Sequence, residues 1–304
     1  MSRTVRVIGV PTDYGSARRG VDMGPSAIRY AGLAEKIEMA GATCVDDGNL
    51  DVPIAERNEE VAPPDGVRFL EETRLVCAEL ADAVAGAIAD GQFPLVLGGD
   101  HSIAIGTIAG SSRDADVGVL WFDAHGDFNT PETSPSGNIH GTPLAAVLGH
   151  GAFAEEPWAH ASGLVPENIV WVGLRDLDPG ERERINQSEA TAFTIADVDE
   201  QGMDEVIETA LDAATDGVDG LHVSLDLDWL EPTEAPGVGT PVVGGVTYRE
   251  AHFALERVAA RDDAKPGLLR SMDLVEVNPI LDHRNETAEL ATELAASALG
   301  KRIL

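Results

Sequence analysis

The chain alternates short, dense apolar runs with longer segments whose apolar residues recur every three or four positions. A dense run predicts a strand buried on both faces, whereas the wider spacing predicts an amphipathic helix. Strands are predicted at 5–10, 42–45, 93–97, 117–122, 169–173, 221–225 and 268–275. Helices are predicted at 25–33, 67–89, 102–109, 143–148, 205–214, 248–260 and 286–299. This alternation predicts a single α/β domain over residues 1–304 on a mainly parallel sheet.

Two segments between these elements are predicted as loops. Residues 51–66 are polar and contain Pro53, Pro63 and Pro64, and residues 232–245 are rich in glycine and proline. Proline removes a backbone donor and fixes φ, so both segments disfavour the interior of a strand or helix. Strand and helix patterns continue on either side, so neither segment is interpreted as a linker between domains.

The charge of the chain is strongly negative, with 53 acidic and 21 basic residues and a formal net charge of −32. The acids are spread along the whole chain, which argues against a disordered acidic tail. Nucleic acids and anionic membranes need a basic face, so both are disfavoured as partners. We hypothesise adaptation to very high salt, because a Debye length of roughly 3 Å at 1 M salt screens self-repulsion.

The apolar content and the cysteines bear on the cellular compartment. The chain is 43% hydrophobic but has no run of about 18 apolar residues that would span a membrane. The first ten residues become strand-like at once, without the pattern of a secretory signal. Cys44 and Cys77 are too few for a disulfide framework. These features predict a soluble protein of the cytoplasm.

Acidic and histidine residues follow four predicted strands where each strand ends. The carboxyl ends of parallel strands meet at one edge of a sheet, so these side chains are expected to converge. An isolated Asp-x-Asp is often a turn or a helix cap, but four clusters at the same structural position indicate a site. The clusters are Asp100-His101, Asp123-Ala-His125-Gly-Asp127, Asp226-Leu-Asp228 and Glu276.

The ligand types in these clusters favour two metal ions. Carboxylates and imidazoles without cysteine suit Mn²⁺, Fe²⁺ or Zn²⁺. Four carboxylates carry too much negative charge for one divalent ion, and two ions can lower the pKa of a bridging water and direct it at an electrophile. The remaining histidines, interpreted as packing or surface residues, are His150, His160, His222, His252 and His283.

The motifs that carry these residues closely resemble the arginase–agmatinase family of ureohydrolases, in the family's order and over nearly the whole chain. The resemblance implies a three-layer α/β sandwich of the arginase-like fold and two Mn²⁺ ions per subunit. The matching segments are IGVP at 8–11, GVDMGP at 20–25, GGDHS at 98–102, DAHGD at 123–127, SLDLD at 224–228 and EVNP at 276–279.

The resemblance also implies a role for each residue of the site. A bridging hydroxide attacks the guanidinium carbon, and Asp127 handles the proton passing to the leaving amine. Glu276 pairs with the substrate guanidinium, and His140 is a proton shuttle. One metal would be bound by His101, Asp123, Asp127 and Asp226, and the other by Asp123, His125, Asp226 and Asp228.

The segment between the metal motif and His140 bears on the substrate. It resembles the loop with which arginases bind the substrate α-carboxylate, using Asn129, Ser134, Ser136 and Asn138. Neutral donors can hold a carboxylate without placing a competing cation near the metals. By the same resemblance, Asp178 receives the α-amino group, with Glu181 as a weaker partner. The implied reaction is hydrolysis of L-arginine to L-ornithine and urea.

Three alternatives remain open at this point. The chain could be an agmatinase or another guanidino-acid ureohydrolase such as a guanidinobutyrase, a non-catalytic metal-binding relative, or an amide deacetylase on a related fold. Trp229 and Glu231 depart from the family pattern beside a ligand and put the local loop geometry in question. Residues 248–250 resemble a segment that joins subunits in the family, which implies a homotrimer or homohexamer.

Overall fold

The computed structural model describes residues 3–16, 19–53 and 66–301, and an eight-stranded sheet lies at its centre. The strands are β1 (Thr4–Val10), β2 (Thr43–Asn49), β3 (Phe93–Gly98), β4 (Val117–Phe122), β5 (Ile169–Leu174), β6 (Thr191–Thr194), β7 (Gly220–Asp226) and β8 (Leu269–Val275). Their order in the sheet is β2-β1-β3-β8-β7-β4-β5-β6. Every pairing between these strands is parallel.

Helices cover both faces of the sheet, so the architecture has three layers. They are α1 (Gly24–Tyr30), α2 (Leu33–Met39), α3 (Leu70–Ala89), α4 (Ala104–Ser111), α5 (Pro143–Val147), α6 (Pro179–Gln187), α7 (Ile195–Gln201), α8 (Met203–Ala214), α9 (Tyr248–Ala264) and α10 (Glu286–Ala298). Apolar residues of α1, α2 and α7 to α10 share one core with one face of the sheet. Residues of α3 to α6 pack on the other face. The predicted α/β sandwich is confirmed.

The apolar runs of the sequence are explained by burial on both faces. Every residue of β3, β4, β5 and β7 is buried, as expected for central parallel strands covered by helices. All seven predicted strands are present, although β2 extends four residues beyond its predicted end. That the chain forms one domain over residues 1–304 stays a prediction.

Three elements between β5 and α8 were not predicted. The strand β6 has four half-buried residues at the edge of the sheet and makes no dense apolar run. The helix α6 is polar around most of its surface and contributes Ile185 to the core. The helix α7 begins at a capping box formed by Thr194 and Asp197, a local signal that was available in the sequence.

Two predicted helix boundaries were wrong for the same physical reason. The helix predicted over 25–33 is broken at Gly32, whose φ of 89° lies in the left-handed region, and α2 begins directly after it. The helix predicted from residue 67 begins at Leu70, because Phe69 has a φ of 58°. Most of the loop predicted over 51–66, namely residues 54–65, lies outside the described residues. Within the described part of the chain, every helix is too short or too polar to cross a bilayer.

Candidate active site

The four clusters follow β3, β8, β7 and β4, which are consecutive neighbours in the middle of the sheet. Their carboxyl ends therefore form one continuous edge, as predicted from the parallel arrangement. The chain contributes to this edge at four points that are distant in sequence, at residues 101, 123–127, 226–228 and 276. The predicted convergence of the clusters is thus observed in the fold.

The two-residue spacing of the acids has a local cause. Asp123 accepts a hydrogen bond on Oδ1 from the backbone N–H of His125 (2.7 Å), and Asp226 accepts one on Oδ1 from that of Asp228 (2.7 Å). Such a turn uses one carboxylate oxygen to hold the backbone two residues further on. The Oδ2 atoms of both carboxylates face His101, and Asp123 Oδ2 also accepts a hydrogen bond from Trp121 Nε1 (2.9 Å).

His101 is surrounded by carboxylates. Its Nδ1 lies 3.1 Å from Asp123 Oδ2, 3.1 Å from Asp127 Oδ2 and 3.3 Å from Asp226 Oδ2. His101 is fully buried, and its Nδ1 has no hydrogen-bond partner among the described residues. The ring nitrogen and the three carboxylate oxygens face one another, as metal ligands do around a cation.

A second group lies beside the first and shares Asp123. His125 Nδ1 lies 3.0 Å from Asp228 Oδ2 and 3.4 Å from Asp123 Oδ1. The metal-ligand atoms form two groups, and within each group they lie within 4.8 Å of one another. One group is His101, Asp123 and Asp226, and the other is Asp123, His125 and Asp228. The donor set therefore fits two divalent cations, and Asp123 belongs to both groups of ligand atoms. The assignment of Asp226 to both ions stays a prediction.

A buried chain of hydrogen bonds supports His101 from behind. Its Nε2 lies 2.7 Å from Ser224 Oγ, which donates to Asp273 Oδ1 at 2.6 Å. Asp273 Oδ2 lies 3.2 Å from His222 Nε2, and His222 Nδ1 lies 2.8 Å from Ser271 Oγ. Because this chain holds the distal nitrogen of His101, the orientation of the ring toward the carboxylates is fixed. His222 accordingly has a structural position outside the cluster.

His140 and Glu276 form a pair at the edge of the metal-ligand groups. His140 Nδ1 lies 3.1 Å from Glu276 Oε1. Burial alone lowers the pKa of His140, but its hydrogen bond with Glu276 and the charge of that carboxylate outweigh burial and raise the pKa to about 9. This pKa favours the protonated form of His140 at neutral pH. The other oxygen, Glu276 Oε2, is buried with no hydrogen-bond partner in the described residues, which suits a cationic ligand.

Two residues at this edge have a strained backbone. Asp127 has a φ of 48° and Glu276 a φ of 64°, in the left-handed region that non-glycine residues seldom occupy. Such conformations cost of order 1–3 kcal/mol each and persist where the surroundings enforce them. Two of the residues predicted to be catalytic are thus held in strained conformations.

One cavity of about 160 Å³ joins the metal-ligand groups to the predicted substrate residues. His125, Asp127 and Asp226 line it from the metal side. Six predicted residues line it elsewhere: Asn129, Ser134, Ser136, His140, Asp178 and Glu181. The predicted site residues that do not line it are His101, Asp123, Asp228, Asn138 and Glu276.

Three residues of the cavity were missed from the sequence. They are Asp176, Thr240 and Gly141. Asp176 could have been found, because it stands two residues before Asp178 just after β5. Thr240 donates a hydrogen bond to Asp228 Oδ2 at 3.0 Å, but it lies in the predicted loop 232–245, where no motif distinguishes it.

The loop predicted to bind the α-carboxylate, which contains Asn129, Ser134, Ser136 and Asn138, is called the carboxylate loop. Its serine hydroxyls are oriented as donors. Ser134 Oγ accepts a hydrogen bond from the backbone N–H of Gly137 (3.1 Å), and Ser136 Oγ accepts one from that of Asn138 (3.2 Å). Each hydroxyl proton remains available to a ligand. Asn129 donates to Asp178 Oδ2 at 3.1 Å, which joins this loop to the acids that follow β5.

Asp178 and Glu181 differ in their suitability for a cation. Burial raises the pKa of Glu181 to about 8, although the backbone N–H of Phe128 hydrogen-bonds its Oε1 at 3.0 Å. A carboxyl group that is largely protonated at neutral pH attracts an ammonium group weakly. This favours Asp178, which lines the cavity beside it, as the partner of a substrate amine.

Arg175 holds the turn that carries Asp228. Its guanidinium donates to the backbone carbonyls of Asp228 (2.6 Å), Trp229 (3.2 Å) and Leu230 (3.3 Å), and also to that of Val242 (2.8 Å). The planar guanidinium of Arg175 thus connects the turn at residues 228–230 to the loop that contains Val242. The position of the Asp228 carboxylate depends on this contact.

The two departures from the family pattern have structural roles. Trp229 is fully buried, and its indole occupies the space above Gly173, where an added Cβ would lie 2.2 Å from Trp229 Nε1. Glu231 accepts hydrogen bonds on Oε2 from the backbone N–H groups of Gly244 (2.7 Å) and Gly245 (2.9 Å). Both residues therefore brace the loop next to Asp228, and neither lines the cavity.

Replacement of Gly173 by alanine is expected to destabilise the protein by about 3 kcal/mol or more, from strain at positive φ plus overpacking. Gly173 has a φ of 103°, and the new methyl group would overlap the Trp229 indole. Urea unfolding of the metal-free protein measures the loss. Gly217→Ala is the control, because Gly217 has a φ of 71° with nothing within 4 Å of an added Cβ. Equal losses in both variants would contradict the proposed fit of Trp229.

Comparison with known proteins gives one consistent family. The sequence model of the Arginase family matches residues 3–300. Arginase from Bacillus subtilis (strain 168) is 51% identical over 306 residues, covering 100% of both chains. The native structure of arginase from Bacillus caldovelox has a TM-score of 0.92 and 47% identity, covering 100% of both chains. The structure of Entamoeba histolytica arginase in complex with L-ornithine has a TM-score of 0.87 and 35% identity, covering 99% of this chain and 100% of that one.

Proposed function

Because this chain belongs to the arginase family, we propose that it hydrolyses L-arginine to L-ornithine and urea. The observation that carries the proposal is a single cavity lined by metal-ligand carboxylates, hydroxyl donors and the acid Asp178. A guanidinium, an α-carboxylate and an α-amino group each find a complementary partner there. The E. histolytica relative was solved with L-ornithine, the amino acid that this reaction releases.

The residues around the cavity support distinct steps. The ligand groups around His101 and His125 would hold two divalent ions, which when bound would supply a water-derived nucleophile near neutral pH. Glu276 would orient the guanidinium through its free buried Oε2. Asp127 would pass a proton to the leaving amine, and the protonated His140 would exchange protons at the edge of the cavity.

An agmatinase or a guanidinobutyrase is the nearest alternative, because the metal chemistry is common to all of them. Agmatine has no α-carboxylate, so the donors at Ser134 and Ser136 would have no partner. Urea release from L-arginine, agmatine and guanidinobutyrate, measured side by side, distinguishes these enzymes. We expect L-arginine to have the highest kcat/KM, and preference for agmatine would overturn the proposal.

Replacement of Ser136 by alanine is expected to raise KM for L-arginine by about tenfold to hundredfold, since a hydrogen bond to a charged group contributes about 1.5–3 kcal/mol. The rate constant kcat should change little, because the α-carboxylate is remote from the guanidinium. Steady-state urea assays measure both constants. Thr209→Ala removes a hydroxyl from the exposed surface of α8 and is the matched control. An unchanged KM in the Ser136 variant would exclude this serine from binding the carboxylate.

The metal, the assembly and the compartment are also proposals. Mn²⁺ is favoured by the mixed carboxylate and imidazole donors and by the family resemblance. A homotrimer or homohexamer is supported by the resemblance of residues 248–250, which lie at the start of α9. The cytoplasm is supported by the two free cysteines, Cys44 and Cys77. The substrate is a small guanidino molecule, with neither nucleic acid nor membrane as a partner.

The charge of the chain supports adaptation to high salt. Many arginines are already in ion pairs, such as Arg29 with Asp46 and Arg261 with Asp212. The excess of 53 acids over 21 bases nevertheless remains. Mutual repulsion among the unpaired carboxylates destabilises the folded state unless salt screens it.

We expect the unfolding midpoint to rise by about 10 °C between dilute buffer and about 2 M KCl. Screening should add a few kcal/mol to the free energy of unfolding, and each kcal/mol raises Tm by about 2–4 °C. Differential scanning calorimetry across a KCl series measures the midpoint. A non-ionic osmolyte at equal osmolality is the control, because it does not screen charge. A midpoint that is independent of KCl would refute the adaptation.

A further inference from the structure

Arg68 lies two residues before α3 and contacts the carboxylate loop directly. Its backbone N–H donates to the carbonyl of Gly137 at 2.9 Å. Its Nη2 donates to the carbonyl of Ser136 at 3.5 Å and to the side-chain oxygen of Asn138. None of the sequence motifs includes Arg68. Residues 136–138 are thus attached to the start of α3 through one basic residue.

The chemistry of guanidinium determines how Asn138 is oriented. A guanidinium has donors only, so the Asn138 amide has to turn its oxygen toward Arg68. The amide –NH₂ is then directed away from Arg68 and remains available to an acceptor. Ser134 and Ser136 are oriented in the same sense, because backbone N–H groups occupy their oxygens. Arg68 therefore completes a set of donors that suits a carboxylate.

The charge of Arg68 acts in the same direction. The carboxylates of Asp127 and Asp226, together with those of Asp176 and Asp178, give the cavity an acidic lining. An entering α-carboxylate is repelled by these groups, and a cation directly behind the donor loop offsets part of that repulsion. Arg68 is partly buried at its contact with Asn138, so water and salt screen its charge less than that of an exposed arginine.

We propose that Arg68 is a positioning residue for substrate specificity: it orders residues 134–138 as a donor surface and favours guanidino acids over guanidines that lack a carboxylate. This inference rests on the proposed function, because it concerns the same cavity. It assigns the preference to a residue outside the loop that contacts the substrate. A purely structural anchor would alter stability without distinguishing ligands by their carboxylate.

The test compares ligands that differ only in the carboxylate. Inhibition constants for L-ornithine and for putrescine, which lacks the carboxylate, are measured on the Mn²⁺-loaded wild type and on Arg68→Met and Arg68→Lys, with KM and kcat for L-arginine. In Arg68→Met, we expect the L-ornithine constant and KM to rise about tenfold, with the putrescine constant and kcat within about twofold. Lysine keeps the positive charge but lacks the planar set of guanidinium donors. Arg68→Lys should therefore recover part of the affinity for L-ornithine that Arg68→Met loses.

Arg74→Met is the matched control, because Arg74 lies in the second turn of α3 and pairs with Glu71 rather than with residues 136–138. Equal changes for L-ornithine and putrescine, or no change for either, would overturn the role of Arg68. If Arg68→Met fails to fold, Arg68→Lys decides, since a selective loss for L-ornithine is still expected. A wild type that releases no urea from L-arginine would instead refute the proposed function, so the two failures are distinguishable.

Discussion

Replacement of Asp226 by asparagine is expected to reduce urea release at least about 10³-fold, since metal ions contribute several kcal/mol to catalysis and each 1.4 kcal/mol is tenfold. Asp226 Oδ2 faces His101 Nδ1 at 3.3 Å, within a group of metal-ligand atoms. Asparagine keeps the shape and can still accept the backbone N–H of Asp228. It removes the negative charge that a cation requires, so the loss should appear in bound metal as well as in rate.

Asp226→Asn should lower activity but should not lower the stability of the metal-free protein. Burial raises the pKa of Asp226, and the nearby carboxylates of Asp228 and Asp123 raise it further. A neutral side chain relieves that repulsion, so the metal-free variant should unfold at a temperature no lower than metal-free wild type. Elemental analysis, urea assays and thermal unfolding measure the three effects. Asp204→Asn, on the exposed surface of α8, is the control. Undiminished turnover in Asp226→Asn would remove the two-metal proposal.

Replacement of Asp273 by alanine is expected to cost about 2–6 kcal/mol of stability, because it leaves two buried polar groups without a partner, at about 1–3 kcal/mol each. Asp273 is fully buried between Ser224 and His222. Without the carboxylate, Ser224 loses its acceptor and His222 loses its partner. Urea unfolding of the metal-free protein measures this loss directly.

Asp273→Ala should also weaken metal binding about 10–100-fold, as loss of groups behind a metal-binding histidine does. The path runs from Asp273 through Ser224 to the distal nitrogen of His101. Competition with a chelator measures metal affinity without reference to turnover. Ser271→Ala is the graded control, because it removes a hydrogen bond from the far side of His222 at a cost of about 1 kcal/mol. Metal affinity that is equal in both variants would contradict a supporting role for Asp273.

The parts of the site that follow buried strands could be predicted from the sequence. A dense apolar run fixes the position of a strand end, and the parallel arrangement brings strand ends together. These two rules predict the positions of His101, Asp123 and Asp226 from the sequence alone. Which ligand binds which of the two metal ions could not be predicted, because spacing along the chain does not specify which oxygen faces which nitrogen.

Other contributors carry no local signal. Arg68 and Arg175 act through backbone carbonyls or an amide oxygen of segments far away in the sequence, and any arginine has the same local pattern. The fit of Trp229 depends on the absence of a side chain at Gly173, 56 positions earlier. The polar helix α6 is retained by its tertiary contacts, which outweigh its weak periodicity. These features depend on packing between distant segments.

The order of strands has a consequence for biosynthesis. The strand β8, at residues 269–275, lies between β3 and β7, so the last of the described strands completes the middle of the sheet. Contacts of such long sequence separation form late, and a nascent chain cannot join β3 to β7 before residue 275 leaves the ribosome. Until then the ligands after β3 remain apart from those after β4 and β7. Metal capture at this site would therefore report that β8 has joined the sheet.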